Sequence, residues 1–194
     1  MKLETRNITE SLVYDYRDEK EEEMKQLSQD HEEFKKEIEK KRSVHIVESI
    51  GDCLSLYDNG VKNVLVSFGL NISPKFIAKL SGIPIDKIFI SFNNDFNSER
   101  NRGFEGAIKS IFKLADCIDF EKIYFAPPAN NDFGEMNKEE IESYIKHCQT
   151  LDHEESSSSV LSIAEEMESR GVNKAFSSNF KKYKKIHNFN YGNI

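Results

Sequence analysis

Cysteine is scarce in this chain, and long apolar runs are missing altogether. Cys53, Cys117 and Cys148 are widely spaced and form no C-x-x-C pair, which argues against both a disulfide framework and a zinc ribbon. Buried free thiols are the expectation. No apolar stretch approaches the roughly 18–20 residues that a membrane helix needs. The opening MKLETRNITESL lacks the charged-then-apolar order of a signal peptide. The expected setting is therefore cytoplasmic, with no membrane partner. Positive charge is also in deficit: 27 Lys and Arg against 34 Asp and Glu give a formal net charge of −7. That balance disfavours nucleic-acid binding through the whole surface and leaves room for a local basic patch. No G-x-x-x-x-G-K-[ST] occurs, so a nucleoside triphosphate is not cradled as it is in P-loop ATPases.

What is present is one core with polar ends. The 194 residues are 38% hydrophobic and 31% charged, with a mean hydropathy of −0.62. From Tyr16 to Arg42 the sequence is dense in good helix formers and almost free of Gly and Pro. Its apolar stripe of Leu27, Phe34 and Ile38 is thin, which predicts a charged helical extension over residues 1–42 that docks weakly on a core or on a partner helix.

Residues 43–150 change character. VHIV (44–47), VLVSF (64–68), IFISF (88–92) and IYFA (123–126) read as buried strands. Helical patterns separate them: one stops at Asn59-Gly60, one opens at Ser73-Pro74 and closes at Gly82, and one runs over about 100–115. A further helix is capped by Asn137 with Glu140 in the capping-box position. The order β-α-β-α-β-α-β implies right-handed crossovers and a mostly parallel four-stranded sheet flanked by helices, an α/β fold. Over 151–194, the Ser156–Ser159 run predicts a flexible boundary and Val160–Ser169 one short helix. The tail mixes Lys181, Lys182, Lys184 and Lys185 with aromatic residues. Such a mixture suits a single-strand nucleic-acid contact, and equally a docked segment with solvated lysines.

In open parallel sheets, ligands bind beyond the carboxyl ends of the strands. Here the first strand ends at Glu48 with Asp52 one turn later, the second at Phe68-Gly69, and the third at Asn93-Asn94-Asp95. The fourth leads to Asp132 and Glu135. Singly these are ordinary surface acids and turn residues. Together, gathered carboxylates raise one another's pKa, and a divalent cation removes that cost. Oxygen ligands of this kind suit Mg²⁺ or Mn²⁺, which keep positions open for water and phosphate oxygens. His45, inside a strand, reads as a core or edge histidine.

The ordered set VESIGD, VLVSFGL and FISFNND resembles the Toprim domain, the metal-binding module of primases, topoisomerases and several nucleases. VKNVLVSFGLNISP and PPANNDFGEM look most similar to the Toprim portion of phage DNA primases. The likeness covers about Val44 to Tyr144. It implies a Rossmann-like Toprim fold in which Glu48 is a metal ligand and general base, with Asp52 beside it. It further implies Asp95 as the second acid of a D-x-D, and Asp132 with Glu135 as the later acidic segment. Asn93 stands where the first acid of the D-x-D belongs; it offers an oxygen to Mg²⁺ and no charge.

With no zinc module and no Walker motif, the resemblance implies a primase Toprim module that works with other replication proteins, a helicase or the remaining primase parts. Single-stranded DNA and nucleotides would be its substrates, and Mg²⁺-dependent nucleotidyl transfer in primer synthesis its chemistry. A phage-infected bacterial cell is the implied setting. Alternatives are a small Toprim nuclease, or a non-catalytic interaction protein that kept the fold.

Overall fold

The computed structural model describes residues 34–172. The lysines 181, 182, 184 and 185, and the part of the charged helix before residue 34, lie outside the described residues. Residues 34–41 are helical (α1). Four strands follow, β1 (Ser43–Val47), β2 (Val64–Val66), β3 (Lys87–Ile90) and β4 (Ile123–Phe125). Between and after them come α2 (Ile50–Asp58), α3 (Pro74–Ser81), α4 (Arg102–Leu114), α5 (Lys138–Thr150) and α6 (His153–Ser169).

Local signals start and stop these helices where the sequence places them. Ser73 accepts from Phe76 N–H with Pro74 in the first turn, Asn137 and Glu140 close a reciprocal capping box, and α2 stops at Asn59 before Gly60 at φ +83°.

All strand pairs are parallel and the order is β2-β1-β3-β4. From β1 the chain passes through α2 to β2 on one side, and from β3 through α4 to β4 on the other. The winding therefore reverses between β1 and β3, which leaves a crevice beyond their carboxyl ends. Side chains alternate across the sheet. Val44, Ile46, Ile88, Ile90, Ile123 and Phe125 pack with Ile38 and with α3, α4 and α6. Val47, Val64, Phe89 and Tyr124 pack with α2 and α5. Two apolar layers thus clamp a short sheet and hold its ends rigid.

The serine run departs from the expectation. Ser156–Ser159 is not a flexible boundary but part of α6, which is 17 residues long and packs on β4 and α4. Ser156 and Ser157 are buried, and Ser156 Oγ accepts from Phe125 N–H at 2.8 Å. That bond satisfies a donor on the edge strand β4, so the serine has a structural partner that its low helix propensity does not reveal. Of the cysteines, Cys148 is buried, Cys53 half-buried and Cys117 exposed. Among the described residues no helix is long and apolar enough to cross a membrane.

Candidate metal centre

Glu48 is the first residue after β1 and is half-buried. The end of β2 folds against it. Gly69 N–H donates to the Glu48 carbonyl at 3.1 Å, and Ser67 Oγ lies 2.9 Å from the Val47 carbonyl and 2.7 Å from that of Gly69. To make this bend the chain enters the left-handed region at Phe68 (φ +57°) and remains at positive φ at Gly69 (+121°); the first is costly for an aromatic residue.

On the neighbouring strand, Asn93, Asn94 and Asp95 follow buried Phe92. Asp95 Oδ2 accepts from Gly103 N–H at 2.9 Å in the first turn of α4, where the helix dipole is positive. Asp95 N–H donates to Asn101 Oδ1 at 3.1 Å, the same atom that caps the helix through Phe104 N–H at 3.0 Å. Gly103 is required for this approach, because a Cβ there would sit 1.8 Å from the Asn93 carbonyl oxygen.

Electrostatics tie the two strand ends together. Burial, then the negative charges of Asp95 and Asp52, push the Glu48 carboxyl above its ordinary range, with Arg102 pulling the other way. Glu48 and Asp95 thus follow the ends of the two strands that flank the winding reversal and feel one another's charge, and Arg102 in the first turn of α4 belongs to the same electrostatic surroundings.

Asp52 has other work. It is buried, its Oδ2 accepts from Ser49 N–H (3.1 Å) and from Ser49 Oγ (2.7 Å), and its Oδ1 accepts from Phe133 N–H (3.2 Å). One oxygen thus caps α2 and the other helps to fasten the loop after β4. The pattern Ser49-x-x-Asp52 is the sequence signal of that role. Asp132 Oδ1 accepts from Glu135 N–H at 2.9 Å and closes its own turn. The loop carrying it is bound to the loop after β3 by Asn94 N–H donating to the Asn131 carbonyl at 2.7 Å.

The donor set suits a sparsely held ion. Among the described residues no group of three or more His, Cys, Asp or Glu side chains is gathered closely enough to hold a metal. The oxygen-bearing side chains after these two strands are Glu48, Asp95 and Asn93, and Asn93 Oδ1 is buried without a hydrogen-bond partner. An unpaired buried carbonyl oxygen is costly and calls for a water or an ion. Mg²⁺ commonly takes one or two protein carboxylates, several waters and substrate phosphates, and this set fits such an ion rather than a closed cage.

Behind the sheet, His45 stacks on Phe89 with Nδ1 2.7 Å from Tyr144 Oη, which is also 2.7 Å from Ser91 Oγ. Burial pushes the His45 pKa down to about 3, so it is a neutral core histidine. The sequence reading missed Arg102, Gly103 and two exposed rings, Phe68 (78% exposed) and Phe96 (57%). The Arg102-Gly103 pair opening a helix was the available signal for the first two.

No family model matches the chain, and no curated protein sequence matches it. Among solved structures, the RNA polymerase domain of Mycobacterium tuberculosis primase DnaG is similar at 15% identity with a TM-score of 0.48, covering 59% of this chain and 38% of that one. The Aquifex aeolicus primase (zinc-binding and RNA polymerase domains) is similar at 20% identity with a TM-score of 0.47, covering 78% of this chain and 40% of that one. The chain thus spans about two fifths of the length of either. The class that fold and site define is a doubly wound, all-parallel α/β domain with an acidic rim at its switch point.

Proposed function

We propose that this chain is a Toprim-like nucleotidyl-transfer module of a phage-type DNA primase, with residues 43–150 as the Toprim unit. The observation that carries it is the pairing of Glu48 with Asp95 at one rim from the two strands flanking the winding reversal. Glu48, Asp95 and the Asn93 amide oxygen would hold Mg²⁺ or Mn²⁺. When bound, such an ion neutralises charge on phosphate oxygens in phosphoryl transfer.

The protein's own groups divide the remaining work. Asp95 is fixed through Oδ2 by Gly103 N–H, and Oδ1 would serve as its ligand atom. Glu48, with its carboxyl pushed upward, would take the proton from the primer 3′ hydroxyl as that oxygen bonds to the α-phosphate of the incoming nucleoside triphosphate and the α–β bond breaks, with pyrophosphate leaving. Arg102 places a guanidinium beside them for phosphate. Asn93 in place of an acid lowers the charge of the set, which favours one ion over two. Single-stranded DNA and nucleotides are the substrates of this reading, a helicase or further primase parts its partners, and the basic tail at Lys181, Lys182, Lys184 and Lys185 a strand contact.

The test is Mn²⁺ binding by electron paramagnetic resonance on the full chain, together with Mg²⁺-dependent primer synthesis on single-stranded DNA with and without a primase or helicase partner. Loss of both in Glu48→Ala and Asp95→Ala supports the module. Metal-dependent cleavage of the template in place of synthesis moves the reading to a nuclease. Activity undiminished in both variants overturns it.

A further inference from the structure

The exposed large apolar side chains of the described residues are Ile50, Leu54, Phe68 and Phe96, and all four follow the carboxyl ends of strands. Phe68 comes two residues after the end of β2 and next to Gly69, whose N–H is bonded to the Glu48 carbonyl. Phe96 is the residue after Asp95, in a tight turn closed by its own N–H on the Asn94 carbonyl at 2.7 Å. Phe68 and Phe96 thus lie in the loops that follow β2 and β3, the strands on either side of β1 and its Glu48. Folding does not need either ring: Phe68 is 78% exposed, Phe96 57%, and Phe68 occupies a left-handed conformation (φ +57°) that glycine would adopt without cost. Strain and solvent exposure are kept together at one aromatic position, which points to a ligand rather than to packing.

We propose that Phe68 and Phe96 are stacking platforms for unpaired bases of a single-stranded nucleic acid whose backbone phosphate lies at the Glu48–Asp95 rim. This inference rests on the function proposed above and adds how the strand is held. Each part of the surface has a counterpart in a nucleotide. Flat rings accept bases of any sequence, and Arg102 and a cation held by the acids would neutralise the phosphate. A protein-docking patch would need contiguous apolar area, whereas Phe68 and Phe96 belong to separate loops after β2 and β3, strands that β1 separates in the sheet. With a net charge of −7, binding by general electrostatics is poor, so stacking supplies much of the affinity.

The experiment is fluorescence anisotropy of a labelled oligothymidylate on the full-length protein with Mn²⁺ present, with Mn²⁺ binding measured separately by electron paramagnetic resonance. Phe68→Leu and Phe96→Leu keep apolar bulk and remove the aromatic face. Each should weaken oligonucleotide binding about fivefold or more, Phe→Tyr at the same positions should restore it, and Mn²⁺ binding should not change. Oligonucleotide binding equal to wild type in both Leu variants, or absent from the wild type, overturns the proposal while intact Mn²⁺ binding leaves the metal centre standing. A change in sedimentation coefficient in the Leu variants without a change in oligonucleotide affinity assigns the rings to a protein contact and also overturns it. Loss of Mn²⁺ binding in the wild type is the separate failure, that of the metal reading itself.

Discussion

The backbone N–H of Phe133 donates to Asp52 Oδ1 at 3.2 Å across 81 positions of sequence, and with Ser55 Oγ donating to the Phe133 carbonyl at 2.7 Å it fastens the loop after β4 to α2. Phe133 is fully buried, so its N–H has no water to fall back on. Removing the carboxylate with Asp52→Ala orphans that donor and the cap on Ser49, at a cost of about 2–4 kcal/mol in chemical denaturation. Mn²⁺ binding by the folded variant should survive. If Asp52→Asn instead abolishes metal binding with little loss of stability, Asp52 is a ligand and not a clasp.

Gly103 tests the contact that carries Asp95. A Cβ at this position meets backbone, 1.8 Å from the Asn93 carbonyl oxygen and 2.6 Å from its carbon, and backbone cannot rotate away. Gly103→Ala should cost about 3 kcal/mol or more and should lower Mn²⁺ affinity even where the protein remains folded, because α4 must withdraw its N–H from Asp95. At Gly106 the same substitution meets only the Leu70 side chain, at 2.7 Å, and should be the milder of the two in both measurements.

His45 predicts an acid limb to stability. Its pKa falls from the ordinary 6.5 to about 3 on folding because burial, with Lys41 nearby, disfavours the imidazolium. The unfolded chain therefore binds a proton that the folded chain refuses. Stability is unaffected by this group above about pH 6.5 and declines as the pH falls toward 3, with a slope of up to about 1.4 kcal/mol per pH unit. His45→Phe should flatten that slope in urea titrations at pH 4–7. It should also lower stability at neutral pH by about 1–3 kcal/mol, since Tyr144 Oη loses a partner.

Glu48 has the opposite sign. Its carboxyl is raised in the folded protein by burial, Asp95 and Asp52, so ionising it opposes folding. The penalty is absent well below the ordinary carboxylate pKa, grows through the window between the unfolded and folded values, and is constant above. Glu48→Gln should therefore raise the metal-free Tm at neutral pH and leave it unchanged near pH 3. The same displacement makes protons compete with Mn²⁺ at Glu48 at a higher pH than for an ordinary glutamate, which a pH series of Mn²⁺ titrations would register.

The strands and most helix ends were legible because they depend on local chemistry: β-branched runs, Ser73-Pro74, Asn59-Gly60, and the Asn137–Glu140 pair. The edge of the sheet that Glu48 and Asp95 follow was legible because parallel strands send all their carboxyl ends one way. Partners distant in sequence were not. Ser156 looked like a linker residue because its bond to Phe125 N–H belongs to tertiary structure. Asp52 looked like a ligand because an acid after a strand end has the same sequence appearance whether it faces an ion or a buried amide. Gly103 and Phe68 became informative only once the backbone showed what stands against one and that nothing covers the other.

Phe68 offers a trade between stability and binding in one substitution. A non-glycine residue in the left-handed region costs about 1–2 kcal/mol, and the ring returns little packing because it is largely exposed. Glycine removes that strain and costs about 0.5–1 kcal/mol through its freedom in the unfolded chain. Phe68→Gly should thus stabilise the protein by about 0.5–1 kcal/mol while weakening oligonucleotide binding at least as much as Phe68→Leu. Parallel denaturation and anisotropy measurements on the two variants separate the terms. Leucine keeps the strain and loses the stacking, whereas glycine loses both, so only glycine should gain stability. If Phe68→Gly destabilises the protein, the ring is packed in solution and its exposure is not held in reserve for a base.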